Sequence, residues 1–326
     1  MKKNIEINFN HSYLSGLTQA DGCFHISIEF NKKLKLGIVI RPKIILSQHK
    51  NFKDFFKLIK NYFDVGFIVI NRNEVQYIVN SVIQIKQKII PYFDKYPLRS
   101  KKLESYIIFK EIINIMSKKQ HLTKEGLIKI IKMSYKMNTV SNRDENKKKK
   151  LFSMFSIENN KSLNFTLNHV TNFIDRKFIT GLIDGDGSFY ITFNNKIKPG
   201  FNITQDIANK SLLLELKEYF NCGSVIELKS SKACRFQIQS LEDINKKLIP
   251  MLEKETFYIK NSNYEIFKKV CFLLKNSLTF EIKKSIIELA YNMNNKGKYR
   301  KLNKNEYKKM YMNYPIDISN KVEDIV

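Results

Sequence analysis

The chain has 326 residues, with 57 Lys+Arg against 31 Asp+Glu and a formal net charge of +26. A hydrophobic fraction of 43% is enough to bury a core, which excludes a disordered basic tail. No apolar run approaches the roughly 18–20 residues of a membrane-spanning helix. The four cysteines lack CxxC spacing, which excludes disulfide-rich secreted proteins and zinc fingers. The charge favours a polyanionic partner, of which nucleic acid is the usual one.

The predicted elements follow one order twice along the chain. Alternation and helical spacing of apolar residues predict a helix, two strands, a second helix, two strands and further helices. In the first half these elements are His11–Ala20, Phe24–Glu29, Gly37–Gln48, Lys50–Tyr62, Val65–Ile70, Val75–Asn80 and Val82–Phe93. Pro42 cannot donate a ladder hydrogen bond, which predicts an edge or a bulge at that point. The same order begins again at Asp175.

Matching residues show that the two halves are copies of one unit. Residues 15–24 read SGLTQADGCF and residues 180–189 read TGLIDGDGSF, identical at five of ten positions. Later matches keep the register: Ser47-Gln48 with Thr204-Gln205, Ile90-Pro91 with Ile249-Pro250, and Lys102 and Tyr106 with Lys260 and Tyr264. We therefore predict an N-terminal half at residues 1–140, a linker at 141–172 and a C-terminal half at 173–326.

The predicted linker is polar and charged and has no hydrophobic periodicity. Its basic run, Lys147–Lys150, is typical of a solvated loop, and contact with backbone phosphates is the alternative interpretation.

The repeated motif combines small residues with one acidic residue. Gly16 and Ala20, like Gly181 and Gly185 in the second copy, are four residues apart on one helix face and allow two helices to approach closely. Asp21 and Asp186 follow, each at a helix end and before a glycine suited to a left-handed cap. If the helices pack together, the two carboxylates converge and a divalent cation relieves their repulsion. Hard oxygen ligands point to Mg²⁺ and to phosphodiester hydrolysis.

These motifs, Leu14–Gly22 and Ile179–Gly187, resemble the two motifs of a single-chain LAGLIDADG homing endonuclease. The resemblance implies an α+β fold of two pseudo-symmetric αββαββα halves. The motif helices would form the interface, and two antiparallel sheets would form a saddle over the DNA. It also implies metal-dependent cleavage of both DNA strands with short 3′ overhangs.

The resemblance also implies roles for particular residues. Asp21 and Asp186 bind the metal, helped by the carbonyls of Ala20 and Gly185. Gln48 and Gln205 order metal-bound water, unless they only end a strand in solvent. Lys102 and Lys260 polarise water or stabilise the phosphate. Lys102 has the alternative role of a phosphate clamp, and Lys101 competes for its position.

The first motif departs from the family pattern at one position. The first acidic residue is present as Asp184 in the second copy but is Gln19 in the first. In the family that position is more often structural than metal-binding. The departure leaves open whether both strands are cut equally well.

Strand alternation predicts which side chains face DNA. Phe24, Ile26 and Ile28 pack under the helices, so their neighbours face outward, and the same logic applies to the other strands. The predicted DNA-binding residues are His25, Ser27, Glu29, Arg41, Lys43, Ser47, Gln76, Asn80, Ser188, Tyr190, Thr192, Asn194, Asn202, Thr204, Arg235, Gln237 and Gln239.

The leading hypothesis is a monomeric, intron-encoded, site-specific endonuclease that cuts double-stranded DNA and uses Mg²⁺. Mn²⁺ is expected to substitute, and Ca²⁺ to support binding without cleavage. The alternative is a group I intron RNA maturase, with intron RNA as its partner, or a protein with both activities. Only four Ala and seven Arg occur, which indicates an AT-rich gene and so a mitochondrial or plastid intron.

Overall fold

The computed structural model describes residues 9, 11–137, 144–157, 174–194, 196–294 and 300–312. The chain divides into two compact units, Met1–Gly185 and Asp186–Val326. Each unit contains one antiparallel four-stranded sheet, in the orders β1-β2-β4-β3 and β5-β6-β8-β7. The strands are β1 (Gly22–Phe30), β2 (Ile38–His49), β3 (Phe67–Asn71), β4 (Glu74–Val79), β5 (Gly187–Phe193), β6 (Ile197–Asp206), β7 (Ser224–Leu228) and β8 (Ala233–Ile238).

Helices accompany both sheets, which confirms the predicted α+β class. The α-helices are α1 (Tyr13–Asp21), α2 (Lys53–Phe63), α3 (Val82–Gln84), α4 (Ile90–Lys95), α5 (Ser100–Ser117), α6 (Lys124–Ser134), α7 (Glu145–Met154), α8 (Arg176–Asp186), α9 (Lys210–Phe220), α10 (Leu241–Asp243), α11 (Ile249–Leu252), α12 (Asn261–Leu273), α13 (Phe280–Tyr291) and α14 (Lys304–Met312). Five-residue π-helical turns, Ile85–Ile89 and Ile244–Leu248, join α3 to α4 and α10 to α11. Short 3₁₀ turns are Lys50–Phe52, Gln120–Leu122 and Ile207–Asn209. In the described part of the chain, no helix combines the length and apolar character needed to cross a bilayer.

The predicted linker contains a helix where a loop was expected. Lys147–Lys150 lie within α7, because the Asp144 side chain accepts the backbone N–H groups of Asn146 and Lys147, each at 3.0 Å, and so caps the helix start. The loop interpretation of this basic run was wrong. Residues 141–143 and 158–172 of the predicted linker lie outside the described residues. The division at 140 and 173 stays a prediction.

Pro42 occupies an edge-like position within β2. It pairs with Ile26 of β1, and β2 runs on without interruption. The ladder from β2 to β4 begins only at Ile44, so Pro42 has no paired residue on that side. This confirms the edge environment predicted from the missing N–H.

Each sheet packs its inner face on an aromatic cluster. Phe24 contacts Phe93 and Phe109, with ring centroids 5.6 and 5.3 Å apart. In the second unit, Phe189 contacts Tyr264 and Phe267 at 5.4 and 5.2 Å. These rings fix α5 and α12 against the sheets and therefore position the lysines near the start of each helix.

Close packing joins α1 and α8 within the first unit. A Cβ atom added to Gly16 would collide with the Phe178 carbonyl oxygen, and one added to Gly181 would collide with the carbonyl oxygen of Tyr13. The helices therefore approach closely at both glycines, as the small-residue spacing predicted. Gly22, in contrast, is extended rather than left-handed, with φ −91° and ψ 151°, so the predicted left-handed cap was wrong. Glycine is needed there because a side chain would collide with Thr18.

Candidate active site

In the first unit, the ends of α1 and β2 bring Asp21 and Gln48 together. β1 starts directly after α1, and its first residue, Gly22, pairs with Leu46. Gln48 lies two residues beyond Leu46, next to the end of α1. Its Nε2 donates to Oδ2 of Asp21 at 3.0 Å, and its Oε1 accepts the His49 backbone N–H at 2.9 Å. The second bond holds the amide with its donor toward the carboxylate.

Lys102 reaches the same site from α5. Its ammonium group donates to the carbonyl oxygen of Gly22 at 2.5 Å, one residue after Asp21. Lys101, the competing candidate, forms an exposed ion pair with Glu104 at 2.7 Å. The geometry therefore favours Lys102 over Lys101 as the basic residue of this site.

The second unit repeats the carboxylate–amide pair. Gly187 pairs with Ile203, so Gln205 again lies two residues beyond the start of the ladder. Its Nε2 donates to Oδ2 of Asp186, and its Oε1 accepts from the Asn209 side chain at 3.1 Å. Gln205 is only 9% exposed, which argues against a strand end in solvent.

The two lysines approach from different helix positions. Lys102 is the third residue of α5, whereas Lys260 is the N-cap residue of α12. Both side chains are half-buried. The units thus share the carboxylate–amide pair but differ in how the lysine is presented.

The donor chemistry fits a hard divalent cation that takes most of its ligands from outside the protein. Asp21 and Asp186 are half-buried, and each follows a residue whose carbonyl is a predicted ligand, Ala20 or Gly185. Among the described residues, no group of three or more His, Cys, Asp or Glu could hold a metal ion. One carboxylate with backbone oxygens, water and phosphate is the kind of set that Mg²⁺ uses. The convergence of the two carboxylates stays a prediction.

The side chains predicted to face DNA lie on the outer faces of the two sheets. On β1, β2, β4, β5, β6 and β8 the inner residues are buried, and these alternate positions are half-exposed or exposed: His25, Ser27, Glu29, Arg41, Lys43, Ser47, Gln76, Ser188, Tyr190, Thr192, Asn202, Thr204, Arg235 and Gln237. Three further predicted residues are exposed just after a strand end: Asn80, Asn194 and Gln239. Their contact with DNA stays a prediction.

One row of paired residues on the outer face of the first sheet is apolar. The sequence-based prediction omitted this row because it included only polar outward-facing residues. Strand alternation nevertheless places one member, Ile45, on the same face as Lys43 and Ser47. The apolar row consists of Cys23, Ile45, Ile78 and Phe67. The matching row of the second sheet is polar and consists of Ser188, Asn202, Gln237 and Ser224.

An ion pair on the outer face links two predicted DNA-binding residues. Arg41 pairs with Glu29, whose carboxylate also accepts from the Ser27 hydroxyl at 2.9 Å. The Ser27 hydrogen bond, with a smaller contribution from the Arg41 charge, lowers the pKa of Glu29. Arg41 is therefore held by an acidic neighbour rather than presented alone to a base.

The sequence matches the family described as LAGLIDADG endonuclease over residues 14–113 and 179–271, more than half of the chain. The chain belongs to the LAGLIDADG endonuclease family. Membership confirms the resemblance and the prediction of an endonuclease. A "Probable intron-encoded DNA endonuclease 1" from Mycosarcoma maydis is 32% identical to this family member over 79% of this chain and 98% of that protein. A longer relative from Neurospora crassa, "Probable intron-encoded endonuclease 2", is 29% identical, and the chain spans 64% of its length.

Two solved LAGLIDADG structures share the fold along most of their length. I-LtrWI, a LAGLIDADG homing endonuclease bound to target DNA, is 30% identical with a TM-score of 0.79, covering 87% of this chain and 97% of that one. I-SmaMI, bound to an uncleaved DNA target in the presence of calcium ions, is 25% identical with a TM-score of 0.78, covering 88% and 99%.

Two shorter matches bear on origin and on the alternative function. An uncharacterised protein in ND4 intron 1 of Podospora anserina is 33% identical over 34% of this chain and 25% of that protein. The intron-encoded RNA maturase bI4 of Saccharomyces cerevisiae is 28% identical over 50% of this chain and 25% of that protein.

Proposed function

We propose that this protein is an intron-encoded homing endonuclease that cuts both strands of a specific double-stranded DNA site and leaves short 3′ overhangs. The observation that carries the proposal is the Asp–Gln hydrogen bond formed at the same register in both units, Asp21 with Gln48 and Asp186 with Gln205. Family membership and the DNA-bound structural relatives support it. We infer one nicking site per unit and a protein that acts as a monomer.

The residues of each site have separate tasks. Asp21, with the Ala20 carbonyl, would hold one divalent cation, and Asp186, with the Gly185 carbonyl, would hold another. Gln48 and Gln205 orient the carboxylates through their Nε2 donors. We assign to Lys102 and Lys260 the stabilisation of negative charge on the phosphate, because an ammonium group is a compact point charge.

The cation proposed is Mg²⁺, with Mn²⁺ as a substitute and Ca²⁺ as a cation that permits binding without cutting. A bound divalent ion supplies Lewis-acid polarisation of the phosphate and makes bound water more acidic. The chain itself supplies the two carboxylates and the surrounding donors.

The first test is cleavage of a library of AT-rich duplexes in Mg²⁺ and in EDTA, with sequencing of the ends. Ends at one site with short 3′ overhangs, formed only in Mg²⁺, are the expected result. Uncut DNA together with tight binding to structured intron RNA would overturn the endonuclease and favour the maturase.

The metal assignment is tested by Asp21→Asn and Asp186→Asn. Each variant should lose double-strand cutting and keep its affinity for the target in Ca²⁺, because only the metal ligand is removed. The matched control is Asp64→Asn, at an exposed left-handed position where the second repeat already has Asn221. Full Mg²⁺-dependent cutting by either active-site variant would contradict the assignment.

We also infer an origin in a mitochondrial intron. The AT-rich composition is consistent with an organellar gene, and a partial match to a protein of an ND4 intron supports mitochondria over plastids. The maturase alternative has weaker support, since the match to bI4 covers a quarter of that protein and both Asp–Gln pairs are present.

A further inference from the structure

Gln19, the departure from the family motif, is buried between the site and the start of α5. Its side chain is almost fully buried, with 1% of the residue exposed. Its Oε1 accepts the backbone N–H of Arg99 at 3.0 Å, while its Nε2 has no hydrogen-bond partner among the described residues. The carbonyl end of the amide is therefore the end that the structure uses.

Arg99 is the N-cap residue of α5, and it is extended, with φ −127° and ψ 160°. In a capping box, the side chain at the third helical position reaches back and accepts the N–H of the N-cap residue. The third position of α5 is Lys102, whose side chain instead donates to Gly22. Gln19, on α1, therefore accepts the Arg99 N–H in place of the third residue of α5.

This hydrogen bond connects the two helices that build the first site. Gln19 precedes Asp21 by two residues on α1, and Arg99, the N-cap residue, precedes Lys102 of α5 by three. One turn further along α5, Tyr106 donates to the Ile90 carbonyl at 3.0 Å. The helix start is thus fixed to α1 at its first turn and to α4 at its second.

There is also a physical reason why residue 19 has an amide side chain where the second motif has a carboxylate. In the second motif, the counterpart of Gln19 is Asp184, which accepts from the Tyr13 hydroxyl at 2.5 Å. The repeat counterpart of Tyr13 is Phe178, which has no hydroxyl to offer. A buried carboxylate without a donor of this kind is costly, whereas a neutral amide is tolerated.

We propose that Gln19 is a positioning residue for Lys102: it holds the N-terminus of α5 against α1 and so places the ammonium group beside Asp21. The inference rests on the proposed function, because it assumes that Lys102 acts in one nicking site. In the second unit the lysine is placed differently, since Lys260 is itself the N-cap residue of its helix. Only the cleavage rate of the DNA strand that is cut at the site containing Lys102 should depend on Gln19.

The test is single-turnover cleavage of a duplex labelled separately on each strand. Gln19→Met removes the acceptor and should slow one strand by about 10- to 100-fold, the same strand that Lys102→Met slows. The other strand is the internal control and should keep its rate, as should affinity in Ca²⁺. The double variant Gln19→Met/Lys102→Met should be no slower than Lys102→Met alone.

A merely structural role would give other results. Equal slowing of both strands, or additive losses in the double variant, would overturn the proposal. If Gln19→Met does not fold, Gln19→Asn, which is too short to reach Arg99, should show the same strand preference. Gln87→Met, at an exposed position, controls for the substitution itself. If Lys102→Met slows neither strand, the positioning role falls with it, while the aspartate variants still test the endonuclease separately.

Discussion

Gly16 and Gly181 set the distance between α1 and α8 because each faces a backbone carbonyl of the other helix. There is no room for a methyl group at either position, because the neighbouring atoms belong to the backbone and cannot rotate aside as a flexible side chain could. The two positions are therefore constrained by packing rather than by turn geometry.

Gly16→Ala should destabilise the first unit by about 1–3 kcal/mol, the usual cost of inserting volume into a packed site. Chemical denaturation measures the difference. Asn61→Ala, at an exposed position of α2, is the control and should change stability by less than about 0.5 kcal/mol. A Gly16→Ala variant as stable as this control would contradict the close approach of the helices.

The two sheets present the same geometry with different outer surfaces. In the first sheet the apolar row offers contacts suited to the thymine methyl group, whereas the matching row of the second sheet offers hydrogen-bonding groups. If each sheet contacts one half of the DNA target, the two half-sites should be recognised by different kinds of contact, apolar in one and hydrogen-bonded in the other.

Ile45→Asn copies into the first sheet the residue found at the matching position, Asn202. We expect it to reduce the preference for thymine at one position of one half-site by about fivefold, near the lower end of the roughly 1–3 kcal/mol of a direct base contact. Sequencing of cleaved target libraries measures the preference. The reciprocal variant, Asn202→Ile, should increase it in the other half-site. Unchanged preferences in both variants would show that the rows do not contact bases.

A charge cluster joins α13 to α14 at the C-terminal end of the described chain. Glu288 pairs with Lys304 and Lys308. Hydrogen bonds from Lys304 and then Lys308 lower the pKa of Glu288 from its usual 4.5. A carboxyl group with a lowered pKa stabilises the fold above that usual value, and the contribution is lost as the pH falls through the folded-state pKa.

Glu288→Gln should therefore lower the thermal midpoint slightly at pH 7, and the difference should disappear at an acidic pH below the folded-state pKa of Glu288. The effect is small because the carboxyl group is half-exposed and its ion pairs are screened by solvent. Glu281→Gln, whose nearest lysine lies 3.9 Å away, is the matched control and should change the midpoint less. A midpoint difference that persists at the acidic pH would show that the ion pairs are not its cause.

At the scale of the whole molecule, the charge of +26 should dominate the affinity for DNA. Each phosphate neutralised contributes about −0.9 to the slope of log affinity against log salt. Lys43→Gln, on the outer sheet face, should reduce the slope by about 0.9, whereas Lys57→Gln, on α2 and paired with Asp54, should leave it unchanged. Titration of target binding over a range of salt concentrations measures both, and a flat salt response would argue against a DNA-binding surface.

Much of this fold follows from local patterns in the sequence. The strands of the first half lie within two residues of their predicted bounds at each end. They could be predicted because apolar and polar residues alternate along a strand that has one buried face. The polar composition of the linker predicts a loop, but Asp144 and Glu145 carry the signals of a helix start and α7 begins there. The left-handed cap predicted at Gly22 is wrong for a different reason: glycine is required there by contact with Thr18 on the preceding helix turn, not by a positive φ.

The sequence by itself determined the two repeated units, the family motifs and the candidate acidic residues of each site, since repeats and periodicity can be recognised without knowledge of the tertiary contacts. Tertiary structure gave the contact that favours Lys102 over Lys101, the partner of Gln19 and the apolar row. Lys102 and Gly22, like Gln19 and Arg99, are 80 residues apart in the chain, so their contacts arise only once α5 is packed against the sheet and α1. Side chains of the same type, such as Lys101 and Lys102, have different contacts in the folded protein because packing, not composition, determines which atoms each one faces.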